Sequence, residues 1–295
     1  MHRGDSHSMG GHRSGSDATD VAAELRLRLG NTGPGRLGDA ARLVIDHALE
    51  VMRALQPSEA ELDAVVQFFT DVGYATDARR QEWVLLADVF GLTAMVADCA
   101  VRRAAGTTPQ TLPGPFYRPD APRLPSGADL SRDGVGAPLW VNGIVTDVSG
   151  VPLLGAEVEV WHANGSGRYE NQDPDSQPEH NLRGRFTTDT AGRFEFRTVR
   201  PGGYALPDDG PVGHLARRLG LSLDRPAHIH FAVTAPDHLR LVTAIFDSSD
   251  PAIARDALFA VRPALTAEFS PVPGGYTLNI ALTLDRQPAT PNDKG

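Results

Sequence analysis

Cysteine is nearly absent from this chain: Cys99 is the single one in 295 residues. No intrachain disulfide can form, which fits a protein of a reducing compartment. Its neighbours Met95, Val96 and Ala97 are apolar, so a buried core thiol is expected. Long apolar runs are also missing. None approaches the roughly 20 residues that cross a bilayer, and the first residues lack the apolar core of a secretory signal. Cytoplasm is therefore the expected location, with no insertion into a membrane. Positive charge is short as well, 28 Lys and Arg against 37 Asp and Glu, for a net charge of −9. Nucleic-acid binding through a basic surface is excluded on that balance. Tyrosine is scarce, five in all, so the places where it occurs carry information.

What is present divides by composition and period. Hydrophobic residues make up 41% of the chain, enough for a sizeable core in one large domain or two ordinary ones. Residues 1–20 are rich in Gly, Ser, His and Asp and cannot bury enough apolar surface to order themselves, so a disordered tail is expected, with no role for His2, His7 or His12. From 37 to 103 the pattern is helical. Residues 41–49 read as an amphipathic helix, and Ser58 with Glu61 forms a capping box ahead of Leu62, Val65, Val66 and Phe69 at helical spacing. Residues 80–103 read as a further helix broken near Gly91. Residues 107–136 are rich in Pro and Gly and read as an irregular connector.

From residue 139 the period drops to two. Strands are predicted at 139–146, 156–162, 185–188, 193–199, 228–234, 240–246 and 277–283, with Asp-x-x-Gly turns at 147–150 and 189–192 that predict hairpins. Helical crossovers are absent between most of them. The chain reads as α+β: a tail at 1–20, a helical subdomain at 21–106, and an antiparallel β-sandwich at 107–295.

Chemistry concentrates between residues 167 and 231. His228 and His230 lie two apart in an apolar-flanked run, so on a strand both imidazoles share one face while Ile229 and Phe231 take the other. Such a pair can grip a metal ion, or can be two half-buried histidines with satisfied hydrogen bonds. Two of the five tyrosines, Tyr169 and Tyr204, fall in Gly- and Pro-rich segments of the same stretch, where loops pass near a site.

The spacing Tyr169, Tyr204, Arg225, His228 and His230 resembles the intradiol ring-cleavage dioxygenases. The likeness continues through Asn181-Leu182-Arg183-Gly184-Arg185-Phe186 and Asp208-Asp209-Gly210-Pro211-Val212-Gly213, and spans about residues 37–285. It implies that Tyr169, Tyr204, His228 and His230 hold non-haem Fe(III), with Tyr204 the ligand that leaves when a vicinal diol binds and accepts one of its protons. Phenolate is a hard, strongly donating anion suited to ferric iron, and imidazole suits iron as well as zinc or copper. Arg225 would stabilise negative charge on the ring, where otherwise it would be an ordinary arginine before a proline.

The same resemblance implies a pocket built from Leu85, Asp88, Leu112, Pro115, Phe116, Leu206, Pro207 and Leu258. Asp88 has a second reading, as a helix residue on a wet face. Together with the Asn-Leu-Arg-Gly run and residues 245–251, Asp88 resembles the hydroxyquinol branch. The expected reaction uses dioxygen to convert hydroxyquinol to maleylacetate, with catechol giving cis,cis-muconate as the alternative. Ala244 departs from the family pattern, which commonly places Gln there to help hold the arginine. A non-catalytic β-sandwich binding module and a zinc hydrolase using the His pair are readings from other classes. The resemblance also implies a homodimer formed through the helical subdomain, with phospholipid able to bind in an apolar tunnel there.

Overall fold

The computed structural model describes residues 21–30, 35–77, 80–100 and 103–287. The tail expected at 1–20 lies outside them. The chain forms two compact units, one ending at Phe68 and the other beginning at Phe69.

The first unit holds α1 (Val21–Gly30), α2 (Arg36–Leu55) and the start of α3 (Glu59–Tyr74). Arg26 of α1 pairs with Asp46 of α2 at 2.6 Å. The expected capping box opens α3: the Ser58 backbone N–H donates to Glu61 Oε2 at 2.8 Å, and the Glu61 N–H donates to Ser58 Oγ at 3.3 Å. A cap of this kind contributes about 1 kcal/mol. In α2 no residue is buried, and Leu37, Val44, Val51 and Leu55 are exposed.

In the second unit α4 (Glu82–Val89) and α5 (Leu92–Ala100) are separated at Gly91, whose φ of +72° is a left-handed conformation that stops the first helix. This is the break the sequence indicated. Cys99 is exposed, not the buried thiol expected from its neighbours. Met95 and Val96 are themselves exposed, so apolar neighbours along one helix did not decide which side is covered.

The remainder is a sandwich of β1 (Pro138–Asp147), β2 (Glu157–His162), β3 (Arg183–Thr187), β4 (Arg193–Val199), β5 (Tyr204–Ala205), β6 (Asp224–Arg225), β7 (His228–Thr234), β8 (Leu241–Asp247), β9 (Thr266–Ala267), β10 (Ser270–Val272) and β11 (Gly275–Leu284), with α6 (Pro211–Leu219) between β5 and β6. One sheet has the order β10-β11-β1-β4, the other β3-β2-β7-β8-β9, and β5 pairs with β6 as a separate ribbon.

Two expectations are corrected here. The sandwich is mixed, not purely antiparallel, because β1 pairs in parallel with β11 and β8 in parallel with β9. Strands far apart in sequence choose direction by where the chain returns, which alternation does not report. The two predicted hairpins are inter-sheet corners: β1 and β2 lie in different sheets, as do β3 and β4. Their turns have the expected chemistry, with Asp147 Oδ1 accepting the Ser149 and Val151 N–H groups and Asp189 Oδ1 those of Ala191 and Arg193. An Asx turn reverses or bends the chain equally well whichever sheet the next strand joins.

The core between the sheets takes Val141, Val145, Phe196, Leu278 and Leu282 from one side and Val158, Val160, Ile229, Phe231 and Val233 from the other. Each such side chain contributes about 1.5–3 kcal/mol on burial. Because β7 alternates, filling the core with Ile229, Phe231 and Val233 turns His228 and His230 to the opposite face. Among the described residues, no helix is long and apolar enough to cross a membrane.

Candidate metal centre and active site

The face of β7 that carries the histidines is itself covered, by the connector that precedes β1. The Thr111 N–H donates to Val242 O at 2.9 Å, and Trp161 Nε1 donates to Pro113 O at 3.2 Å. The connector passes close enough that a Cβ on Gly114 would lie 3.9 Å from His230 Nε2. Both histidines are buried as a result.

Each imidazole is held by a different means. His228 Nδ1 lies 2.7 Å from Pro226 O, which can only accept, so Nδ1 carries the proton and Nε2 is left with its lone pair. His230 has no such bond: its Nδ1 is buried without a partner. Trp161 holds it instead. The two residues are register partners across β2 and β7, and their rings stack 4.9 Å apart at 3°. The two Nε2 atoms converge to 3.2 Å.

Tyr169 reaches this point from a loop tied by Asn164 Oδ1, which accepts the N–H groups of Ser166 and Arg168. Gly167 makes the approach possible. Its φ is +78°, and a Cβ there would fall 2.6 Å from Gly203 O. The Tyr169 ring stacks on Phe116 at 4.4 Å and stands edge-on to Tyr204 at 6.1 Å. Tyr204, in β5, has its ring 5.8 Å from that of His228 and is the register partner of Arg225 in β6.

Electrostatics favour neutral donors around one focus. Burial, with Arg225 nearby, holds the His228 imidazole down to about 3, and burial together with His228 holds His230 well below its ordinary value. Burial pushes the Tyr169 phenol well above its usual value, and Tyr204 adds to the effect. The Tyr169 hydroxyl has no hydrogen-bond partner. A buried, unsatisfied hydroxyl costs about 1–3 kcal/mol. A cation between these donors would satisfy the phenol oxygen and the bare imidazole nitrogens together, and the phenol–imidazole set suits iron. Asp120, Glu179 and His180 also converge, but at the surface, where Arg118 bonds both carboxylates.

Arg225 is buried and keeps its charge: burial opposes it, but Tyr204 and Asp256 raise its pKa above the ordinary arginine value. Its Nε donates to Asp256 Oδ1 at 3.1 Å, while the Ala260 N–H donates to Asp256 Oδ2 at 2.8 Å. Asp256 and Trp161 were not singled out from the sequence. Nothing local marks Asp256, and the significance of Trp161 depends on a strand register that only the fold supplies.

A cavity of about 370 Å³ opens beside these groups, and Arg225, His230, Asp88, Leu112, Pro115 and Leu258 are on its wall. Asp88 is half-buried. Burial raises its pKa, against the Thr93 hydroxyl and the Arg225 charge, which lower it. Four expected pocket residues are not on this wall. Leu85 is off the wall, which Val84 lines one position earlier; Phe116 backs Tyr169; Leu206 pairs through its N–H with Leu223 O; and Pro207 is exposed.

Comparison with known proteins agrees with this geometry. The catechol dioxygenase N-terminal model matches residues 35–108 and the dioxygenase model residues 112–284. The chain belongs to the intradiol ring-cleavage dioxygenases. The hydroxyquinol 1,2-dioxygenase of Rhizobium sp. (strain MTP-10005) is 40% identical over 251 residues, 85% of each chain. Among solved structures, hydroxyquinol 1,2-dioxygenase from Pseudomonas putida DLL-E4 superposes with a TM-score of 0.86 at 29% identity, covering 90% of this chain and 98% of that one. Catechol 1,2-dioxygenase from Acinetobacter radioresistens gives 0.75 at 27%, covering 91% and 93%. As an intradiol dioxygenase the protein opens an aromatic ring between two adjacent hydroxylated carbons using dioxygen, and non-haem iron is the metal expected of this family.

Proposed function

We propose that the protein is a hydroxyquinol 1,2-dioxygenase whose Tyr169, Tyr204, His228 and His230 hold non-haem Fe(III). One observation carries this reading: two phenols and two neutral imidazoles pack together, and one of them, His230, is on the wall of a cavity that also holds Arg225 and Asp88. Ferric iron there would supply a Lewis-acidic, electron-accepting centre for a chelating diol and for dioxygen. The overall change adds both atoms of O₂ to hydroxyquinol, C₆H₆O₃, to give maleylacetate, C₆H₆O₅ as the acid.

The side chains divide the remaining work. Tyr204 Oη accepts one proton from the diol. Arg225, fixed by Asp256, places a permanent positive charge beside the ring and stabilises negative charge that develops on it. Leu112, Pro115 and Leu258 exclude water. Asp88 accepts a hydrogen bond from the third ring hydroxyl, the feature that separates hydroxyquinol from catechol. The nearer superposition on a hydroxyquinol enzyme than on a catechol enzyme supports this choice.

The exposed apolar side chains of α2 support a homodimer with a second copy covering them, and the expected phospholipid would lie among such helices. Light scattering and native mass spectrometry test these two points. Cytoplasm is the compartment this chemistry and the single cysteine fit.

The test is a visible spectrum with metal analysis, then oxygen uptake with hydroxyquinol and with catechol. A tyrosinate-to-iron band and a kcat/KM favouring hydroxyquinol are expected. A protein that stays colourless after iron loading would overturn the iron reading, and a preference for catechol would overturn the substrate.

A further inference from the structure

Helix α4 shows two working faces. Gln81 at its N-cap, Val84 and Asp88 recur at helical spacing and line the cavity together with Arg225 and His230. Glu82, Leu86 and Val89, roughly a third of the way round the helix, are buried instead. Leu86 and Val89 are ordinary packing: they close against Val212, Leu215 and Ala216 of α6 and leave no room for a water. Glu82 is not. Its side chain is 0% exposed, and a carboxylate so placed is costly unless hydrogen bonds compensate it.

The compensation comes largely from α6. That helix starts at Gly210, which has no side chain to cap it, and Pro211, which has no N–H, so Val212 carries the first N–H in need of an acceptor. It donates to Glu82 Oε1 at 3.0 Å, while Arg80 Nε donates to Glu82 Oε2 at 2.7 Å and Arg80 Nη1 to Asp209 Oδ1 at 2.9 Å. One carboxylate thus stands at the N-termini of both α4 and α6, where the helix dipoles favour it. The approach is close: a Cβ on Gly210 would fall 2.5 Å from Glu82 Oε1. Both ends of α6 run back into the ribbon β5–β6, where the Leu206 N–H donates to Leu223 O at 2.8 Å and continues the ladder that begins at Tyr204 and Arg225.

Apolar contact is non-directional and would let α4 slide or turn on α6, whereas two directed bonds to one carboxylate fix its position. We infer that Glu82 is a positioning residue: it locks α4, through α6, to the segment that carries Tyr204 and Arg225, and so sets where Asp88 stands in the cavity and how strongly the site prefers a ring with a third hydroxyl. The inference rests on the reading of Asp88 as the acceptor for that hydroxyl. A displacement of about 1 Å is enough to lose such a bond.

The experiment is anaerobic calorimetry with hydroxyquinol and catechol on the iron-loaded parent, Asp88→Ala, Glu82→Gln and the double variant. Calorimetry gives affinity and number of sites separately, so loss of folded protein is not mistaken for loss of preference. The parent prefers hydroxyquinol by about tenfold or more, the worth of a hydrogen bond to a charged group, and Asp88→Ala removes that preference. Glu82→Gln keeps the shape and the bond from Val212 but loses the ion pair with Arg80; it lowers the preference by about threefold or more, and in the Asp88→Ala background lowers it no further. Arg80→Gln, at a partly exposed position, acts in the same direction and serves if Glu82→Gln does not fold. A preference untouched by these substitutions, or a fall in the number of sites alone, overturns the inference and leaves Glu82 a residue of the fold, as does an equal loss in both backgrounds. A parent without the preference, or an Asp88→Ala variant that retains it, brings down the reading of Asp88 and the inference with it.

Discussion

Tyr204 and Arg225 face each other as register partners across the two-residue ribbon β5–β6, with Asp256 gripping the arginine from behind at 3.1 Å. The ribbon thus ties a proposed ligand, a fixed cation and its carboxylate anchor into one small unit. Asp256→Asn keeps the shape and removes the anchor's charge. Outer partners of this kind are worth about 10–100-fold in activity, so kcat for oxygen uptake drops by that factor. The loss of one partner of a buried ion pair also destabilises the fold by about 3–5 kcal/mol. Unchanged kcat in the purified variant would show that Arg225 needs no anchor.

Trp161 stacks on His230, whose Nδ1 has no hydrogen-bond partner. The indole is therefore the main restraint on that ring. Trp161→Leu leaves the imidazole free to turn and weakens iron binding by about 10–100-fold, measured by competition with a coloured chelator. Equal affinity in the two proteins would mean that the strand backbone alone fixes His230.

Helices α2 to α5 and most of the strands were legible because each is announced locally, as by a capping box at Ser58 and a two-residue period through His228 and His230; helices α1 and α6 were not read, and the four proposed ligands were implied by the family resemblance of their spacing. What stayed hidden depends on partners distant in sequence. The parallel pairing of β1 with β11, the crossing of Asp147 and Asp189 turns between sheets, the hold of Asp256 on Arg225 and the stacking of Trp161 on His230 all follow from long-range pairing, which local pattern does not encode. Leu85 and Phe116 illustrate the limit from the other side. Each lies next to a wall residue in sequence without lining the wall itself, Phe116 stacking on Tyr169 instead, since neighbouring positions on a helix or loop point in different directions.

Gly167 and Gly150 offer a matched pair, with φ of +78° and +80°. An alanine at either costs about 1–2 kcal/mol for the left-handed backbone. At Gly150 nothing lies within 4 Å of the added Cβ, whereas at Gly167 it would meet Gly203 O at 2.6 Å and Tyr204 Cβ at 3.0 Å. Gly167→Ala is therefore the more destabilised in urea and also loses iron per chain, while Gly150→Ala retains its iron. Equal behaviour of the two would deny that the Tyr169 loop and β5 must touch.

His162 is buried between Ala163 O and the Thr198 hydroxyl, each 2.7 Å away, and burial lowers its pKa to about 4. Between that value and the ordinary one near 6.5 the unfolded chain binds a proton that the folded chain refuses. Its contribution to stability is thus fully present above about pH 6.5 and is lost as pH falls toward 4, amounting to about 2 kcal/mol between pH 7 and pH 5. Urea unfolding at the two values shows this for the parent protein, and His162→Gln flattens the slope. A variant with the parent's slope assigns the loss to other groups.

Arg183 and Glu170 form a buried pair behind Tyr169, with Nε and Nη2 bonding the two carboxylate oxygens at 2.7 and 2.6 Å and the guanidinium carbon 5.9 Å from the Tyr169 ring centre. Glu170 adjoins the proposed ligand in sequence, so the pair fixes the backbone that presents the phenol. Arg183→Met leaves the buried Glu170 carboxylate with only the longer bond from Arg118 Nη1, at 3.3 Å, and costs about 3 kcal/mol. Adding Glu170→Gln to it removes the poorly compensated buried charge, and the double variant regains much of that loss. Urea midpoints of the four proteins give the coupling. The tyrosinate-to-iron band then separates packing from positioning: a double variant that recovers stability but keeps a displaced band shows that the pair orients Tyr169, whereas a band restored along with stability shows that it serves the fold alone.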